Sequence, residues 1–87
     1  MASEQEIMEH ARRIIREKVA DGDRCLQGEL APDAVLDAEG GVDSLGFVYV
    51  LTTLEAEYCA HVPDDEWWDI HTLSDLAHAI AVHQERA

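Results

Sequence analysis

The chain has 87 residues, 47% of them hydrophobic, and a formal net charge of −13, which suits one small globular domain with a single core and argues against disorder. Its bases are Arg12, Arg13, Arg16, Lys18, Arg24 and Arg86; residues 25–85 contain no Lys or Arg and thirteen of the nineteen acids, a surface that repels nucleic acid and anionic lipid and attracts basic protein patches. The opening residues show no basic-then-apolar leader, no apolar run is long enough to span a bilayer, and Cys25 and Cys59 form no CxxC pair, so the expectation is a cytoplasmic protein with buried or idle thiols and no membrane insertion.

The first helix is announced by Ser3 and Glu6 at capping-box spacing. Ile7, Met8, Ala11, Ile14, Ile15 and Val19 then recur at intervals of three and four, one apolar face of about four turns. Arg12, Arg13 and Arg16 fall on or beside the opposite face, expected to be solvated, and Asp21-Gly22 ends the helix. From Ala20 to Asp43 no period is sustained, and Gly22, Gly28, Pro32, Gly40 and Gly41 punctuate the stretch. A loop of that length is uncommon in a small domain and usually functional. Leu26, Leu30, Val35 and Leu36 are expected to pin it to the core, with Asp33 capping a short turn.

The loop ends at Gly40-Gly41-Val42-Asp43-Ser44-Leu45-Gly46. Glycine pairs mark loops, and Asp or Ser before a periodic apolar segment marks a helix start. A second helix is therefore expected from about Ser44 to Tyr58 or Cys59, with Ser44 exposed at the positive end of the helix dipole, a setting suited to a phosphate. Phe47, Val50, Leu51, Leu54 and Tyr58 form its inner stripe. Leu45, Val48, Tyr49 and Thr52 form a second stripe on another side. In so short a chain, that second apolar face is expected to meet a partner.

Ala60-His61-Val62-Pro63 breaks the pattern. Pro63 suits the start of a short helix, and Asp64, Asp65 and Glu66 favour its N-terminus. Of the adjacent Trp67 and Trp68, one is expected to plug the core; the other either lies half exposed or lines a cleft. Thr72 and Asp75 make a second capping-box pair, and Leu73, Leu76, Ala77 and Ile80 give the last helix its core face, with Val82 at the margin.

Val42-Asp43-Ser44-Leu45, Leu54-Glu55-Ala56-Glu57-Tyr58, Val62-Pro63-Asp64-Asp65 and Ile70-His71-Thr72-Leu73, in this order and spacing, resemble the acyl carrier and peptidyl carrier proteins. The resemblance spans nearly the whole chain. It implies an all-α fold, a small four-helix bundle with a short third helix and a long first loop, as one domain over residues 1–87. It also implies that Ser44, flanked by Asp43 and Leu45, carries 4′-phosphopantetheine transferred from coenzyme A by a phosphopantetheinyl transferase, whose thiol holds acyl or aminoacyl groups as thioesters. On this reading the chain is a carrier and not an enzyme. Its partners are the transferase, an acyl- or aminoacyl-loading enzyme, and downstream synthase or tailoring enzymes, met by a monomer through Leu45, Val48, Tyr49, Thr52 and Glu55. Fatty-acid carriers usually place an acid where Tyr49 stands, and Asp43-Ser44-Leu45-Gly46 is more similar to discrete polyketide, nonribosomal-peptide or D-alanyl carriers. The alternatives are a D-alanyl or fatty-acid carrier, or a non-carrier helical interaction module in which Ser44 is only an N-cap.

Two other chemistries fail on the residues. A nucleophile elbow needs glycine two positions before and after the serine; Gly46 fits, Val42 does not. An EF-hand loop starting at Asp37 would need Gly at its sixth position and Glu at its twelfth, where Val42 and Val48 stand. The scattered His10, His61, His71, His78 and His83 match no metal-ligand spacing. The capped start at Ser3 and the polar Gln84-Glu85-Arg86-Ala87 tail are expected of a standalone carrier.

Overall fold

Ser3 starts the first helix as its spacing predicts: its Oγ accepts the Glu6 N–H at 3.2 Å, and its carbonyl accepts the Ile7 N–H at 3.1 Å. Helix α1 runs Glu4–Ile14 and widens into a π-helical stretch Ile15–Val19, with the Ile15 N–H shared between the carbonyls of Ala11 and Arg12. The computed structural model describes residues 2–19, 31–37 and 42–84, without the side chains of Lys18 and Val19. The expected end of α1 at Asp21-Gly22, the pins Leu26 and Leu30, Cys25, Gly28 and the pair Gly40-Gly41 lie outside the described residues.

Helix α2 spans Ser44–Tyr58, a 3₁₀ helix spans Asp64–Asp69, and α3 spans Leu73–His83. Among the described residues the bridges between extended positions are isolated pairs, Val35 with Thr72 and Ala60 with Gln84. The fold is thus the expected small all-α one with a short third helix, and α1 packs most extensively on α3. Ile7, Met8, Ala11, Ile14 and Ile15 of α1 meet Val50, Leu51 and Leu54 of α2 and Leu73, Leu76, Ala77 and Ile80 of α3 in one core. Each fully covered Leu or Ile side chain contributes roughly 1.5–3 kcal/mol relative to exposure.

The start of α3 shows why the described part of the first loop lies where it does. An α-helix leaves its first amides without intrahelical acceptors. Here Leu73 N–H donates to the Ala34 carbonyl at 3.1 Å and Ser74 N–H to the Pro32 carbonyl at 2.7 Å, while Leu36 N–H returns to the His71 carbonyl at 2.9 Å. Thr72 and Asp75 complete the end as a full capping box. Residues 31–37 therefore cap α3, burying Ala34 and Leu36. Val35 is half-buried, and Asp33 is a central residue of a turn closed by Ala34 N–H on the Ala31 carbonyl at 3.0 Å, in place of the expected cap.

Two expectations need correction. Val82 is 61% exposed, well outside the core margin. The Arg12 side chain is only 12% exposed; it pairs with Glu9 at 2.7 Å and reaches Met8 Sδ at 3.6 Å, because a long apolar stem can lie along the helix it grows from. Arg13 and Arg16 are exposed as expected, and Cys59 carries an exposed free thiol.

Candidate functional site

The loop-to-helix junction divides its work between adjacent residues. Asp43 has extended backbone angles, φ −83° and ψ −175°, as an N-cap does. Its Oδ1 accepts the Gly46 N–H at 2.7 Å, and its carbonyl accepts the Phe47 N–H at 2.8 Å, the first bond of α2. Val42, just before it, is buried and donates its N–H to the Leu36 carbonyl at 3.0 Å, so the chain enters the helix from a fixed direction. Ser44 is the first helical residue and is exposed. It is not the cap. The reading of Ser44 as only an N-cap is overturned, since Asp43 fills that role.

Helical geometry leaves the amides of Ser44 and Leu45 without intrahelical acceptors, and they point along the positive end of the dipole. The first turn of α2 contains no acid. A serine hydroxyl here stands at the mouth of a site that favours a negatively charged substituent.

Around it lies the apolar stripe. Leu45 is 82%, Val48 41% and Tyr49 46% exposed, and Thr52 is exposed with its hydroxyl returned to the carbonyls of Val48 at 2.7 Å and Tyr49 at 3.3 Å. The inner stripe goes to the core: Val50, Leu51 and Leu54 are buried, with Phe47 and Tyr58 packed against them. Helix α2 is therefore apolar on two sides, one of which the domain leaves uncovered.

Glu55 separates from that stripe. Its side chain is 16% exposed, and Oε2 accepts the Val62 N–H at 2.8 Å. The chain reverses between them through Cys59, whose left-handed backbone (φ 52°) closes α2 with Cys59 and Ala60 amides on the Glu55 carbonyl. Val62 in turn accepts from Trp67 Nε1 at 3.0 Å, and the Trp67 ring meets Phe47 edge-on at 6.1 Å. Glu55 thus fixes the 3₁₀ helix against the half of α2 that begins at Ser44. Sequence reasoning missed this chain of contacts; of the two tryptophans, Trp67 packs half-buried against the core, while Trp68 is 82% exposed, beyond the half exposure expected of it.

Comparison with known families matches residues 13–80 to the phosphopantetheine attachment site. No curated protein matches the chain.

Proposed function

The chain belongs to the family of domains that bear the phosphopantetheine attachment site, and from that premise we propose that Ser44 is the attachment residue of a single carrier domain. The observation that carries this assignment is the division of labour at the junction: Asp43 takes the cap, and Ser44 stands exposed one position on. The residues fit the group. The phosphodiester would lie at the N-terminus of α2, held by the dipole and the unpaired amides of the first turn, with no acid in that turn to repel it.

Serine without a base is a poor nucleophile, so activation belongs to the transferase. In the transfer, Ser44 Oγ forms a bond to phosphorus, the pyrophosphate bridge of coenzyme A breaks, adenosine 3′,5′-bisphosphate leaves with the electron pair, and the hydroxyl proton passes to a base on the transferase. When bound, phosphopantetheine supplies a thiol that holds cargo as a thioester. This chain's own residues present the attachment point and the address. Asp43 keeps the helix start rigid, and Leu45, Val48, Tyr49 and Thr52 form the face that an enzyme reaching Ser44 must approach, as all lie within about two turns of it.

The cargo we propose is an acyl or aminoacyl intermediate of polyketide, nonribosomal-peptide or related specialised metabolism. The support is Tyr49, an exposed aromatic at the position where fatty-acid carriers usually hold an acid. Intact mass after incubation with coenzyme A and a broad-specificity transferase tests the attachment; loading by isolated adenylating and acyl-transferring enzymes tests the cargo.

A further inference from the structure

Trp68 is as exposed as Leu45, at 82%, yet it lies on a different element, the 3₁₀ helix Asp64–Asp69. The 3₁₀ helix is anchored on one side by Val62, which both donates to Glu55 and accepts from Trp67, and on the other by Glu66, whose Oε1 lies 2.9 Å from His83 Nε2. Trp67 is the anchor. Trp68 is what the anchored helix displays.

In a 3₁₀ helix the side chains at i and i+3 eclipse, so Asp65 and Trp68 share one column, about 6 Å apart along the axis at about 2.0 Å rise per residue. Asp64, Asp65 and Asp69 are exposed. A flat indole with a carboxylate one turn beneath it matches a guanidinium, which stacks on an aromatic face while its fork binds the carboxylate. An ammonium matches less well, because it cannot do both in a plane.

Charge limits the occupant. A second copy of this chain brings another −13, and an anionic lipid surface is repelled in the same way. Residues 25–85 hold no Lys or Arg of their own. We propose that the Asp65–Trp68 column is a second docking point, separate from the α2 face, for an arginine on the basic surface of a partner protein. Tryptophan and arginine are the residues in which interface energy concentrates. The proposal does not depend on Ser44 being the attachment residue.

The test uses ¹⁵N-labelled protein, with the two indole N–H signals assigned by Trp67→Phe and Trp68→Phe. The probe is a five-residue peptide, acetyl-Gly-Arg-Leu-Arg-Gly-amide, and its control replaces both arginines by citrulline. The expected result is a saturable shift of the Trp68 indole and the Asp65 and Asp69 amides with the arginine peptide, absent with the citrulline peptide. Asp65→Asn should weaken binding roughly threefold or more, as should replacing arginine by lysine. Both Trp68→Ala and Asp65→Asn alter exposed residues, so either variant reads binding in a folded domain. Equal shifts with citrulline, or arginine-peptide shifts spread over all acids without preference for Trp68, would overturn the proposal. So would a Trp68 signal that moves with protein concentration alone, which assigns the patch to a second copy. A signal that moves on Arg24→Gln or Arg86→Gln without peptide, assigning it to this chain's own bases, or one that broadens on phosphatidylglycerol vesicles, would overturn it equally.

Discussion

Asp43 Oδ1 accepts the Gly46 N–H at 2.7 Å, and through that bond the residue before Ser44 closes the helix end that Ser44 would otherwise have to close. Loss of an N-cap acceptor costs about 1 kcal/mol. Asp43→Ala should lower unfolding free energy by about that amount, and Asp43→Asn, which keeps an acceptor, by a few tenths of it. Ser44→Ala should stay within about 0.5 kcal/mol of the parent. Urea unfolding of the three variants checks this; a Ser44→Ala loss as large as that of Asp43→Ala would return the capping role to Ser44.

Glu55 and Val62 make the second quantitative case. Val62 is fully buried, so removing its acceptor leaves a buried N–H unpaired, at about 1–3 kcal/mol. Glu55→Ala should show that loss together with a red shift of Trp67 emission, measured in a Trp68→Phe background, because the Val62 carbonyl holds the indole N–H. Glu55→Gln keeps an acceptor and should recover most of both. His61, whose Nδ1 lies 3.9 Å from the same carboxylate and whose side chain is 84% exposed, should matter little when replaced by Ala.

Asp75 sets part of the acid limb of stability. Burial would raise its pKa, but the backbone N–H groups of His71 and Thr72, helped by the Thr72 side chain, outweigh that and hold the carboxyl below its ordinary value of 3.8. A group depressed in the folded state stabilises above its unfolded pKa and loses that contribution as pH falls through the folded one. Unfolding free energy should therefore drop as pH falls below about 4, and the drop should be shallower in Asp75→Asn. Parallel acid limbs in the two proteins would contradict this.

The exposed stripe of α2 predicts variants that fold and fail to be recognised. A charge at Val48 or Tyr49 remains solvated in the isolated domain but must be desolvated in a complex. Val48→Asp and Tyr49→Asp should keep the native helical circular dichroism and a melting temperature near the parent's, while loading by the cognate enzyme slows. Tyr49→Asp should affect the loading enzyme more than the general transferase, whose contacts lie nearer Ser44. Unfolding of both variants would put the stripe in the core; full loading of both would remove it from the recognition face.

What the sequence made legible was local. The three- and four-residue spacing of Ile7 to Ile15 and of Val50, Leu51 and Leu54 identified faces that are buried, and Thr72 with Asp75 marked a cap that forms in full. What it hid was contact between distant segments. Nothing periodic in residues 31–37 says that the carbonyls of Pro32 and Ala34 will receive the first amides of α3. Glu55 looked like a surface acid because the reversal that brings Val62 to it passes through Cys59, a left-handed position without the glycine that usually announces one. Val82, expected at the margin of the core face, follows Ile80 by two residues, which at 3.6 residues per turn carries it to the opposite side of α3, where it is exposed. At the junction itself, Asp43-Ser44 offered two possible caps, and only backbone angles decide between adjacent candidates.

The most direct measurement is intact mass of the parent and of Ser44→Ala after incubation with coenzyme A and a broad-specificity phosphopantetheinyl transferase, with peptide mapping of the product. The parent should gain the mass of one phosphopantetheinyl group, mapped to Ser44, while Ser44→Ala, folded by circular dichroism, should gain nothing. Modification of the Ser44→Ala protein, or a parent modified at Ser3 or Ser74 in place of Ser44, would contradict the assignment.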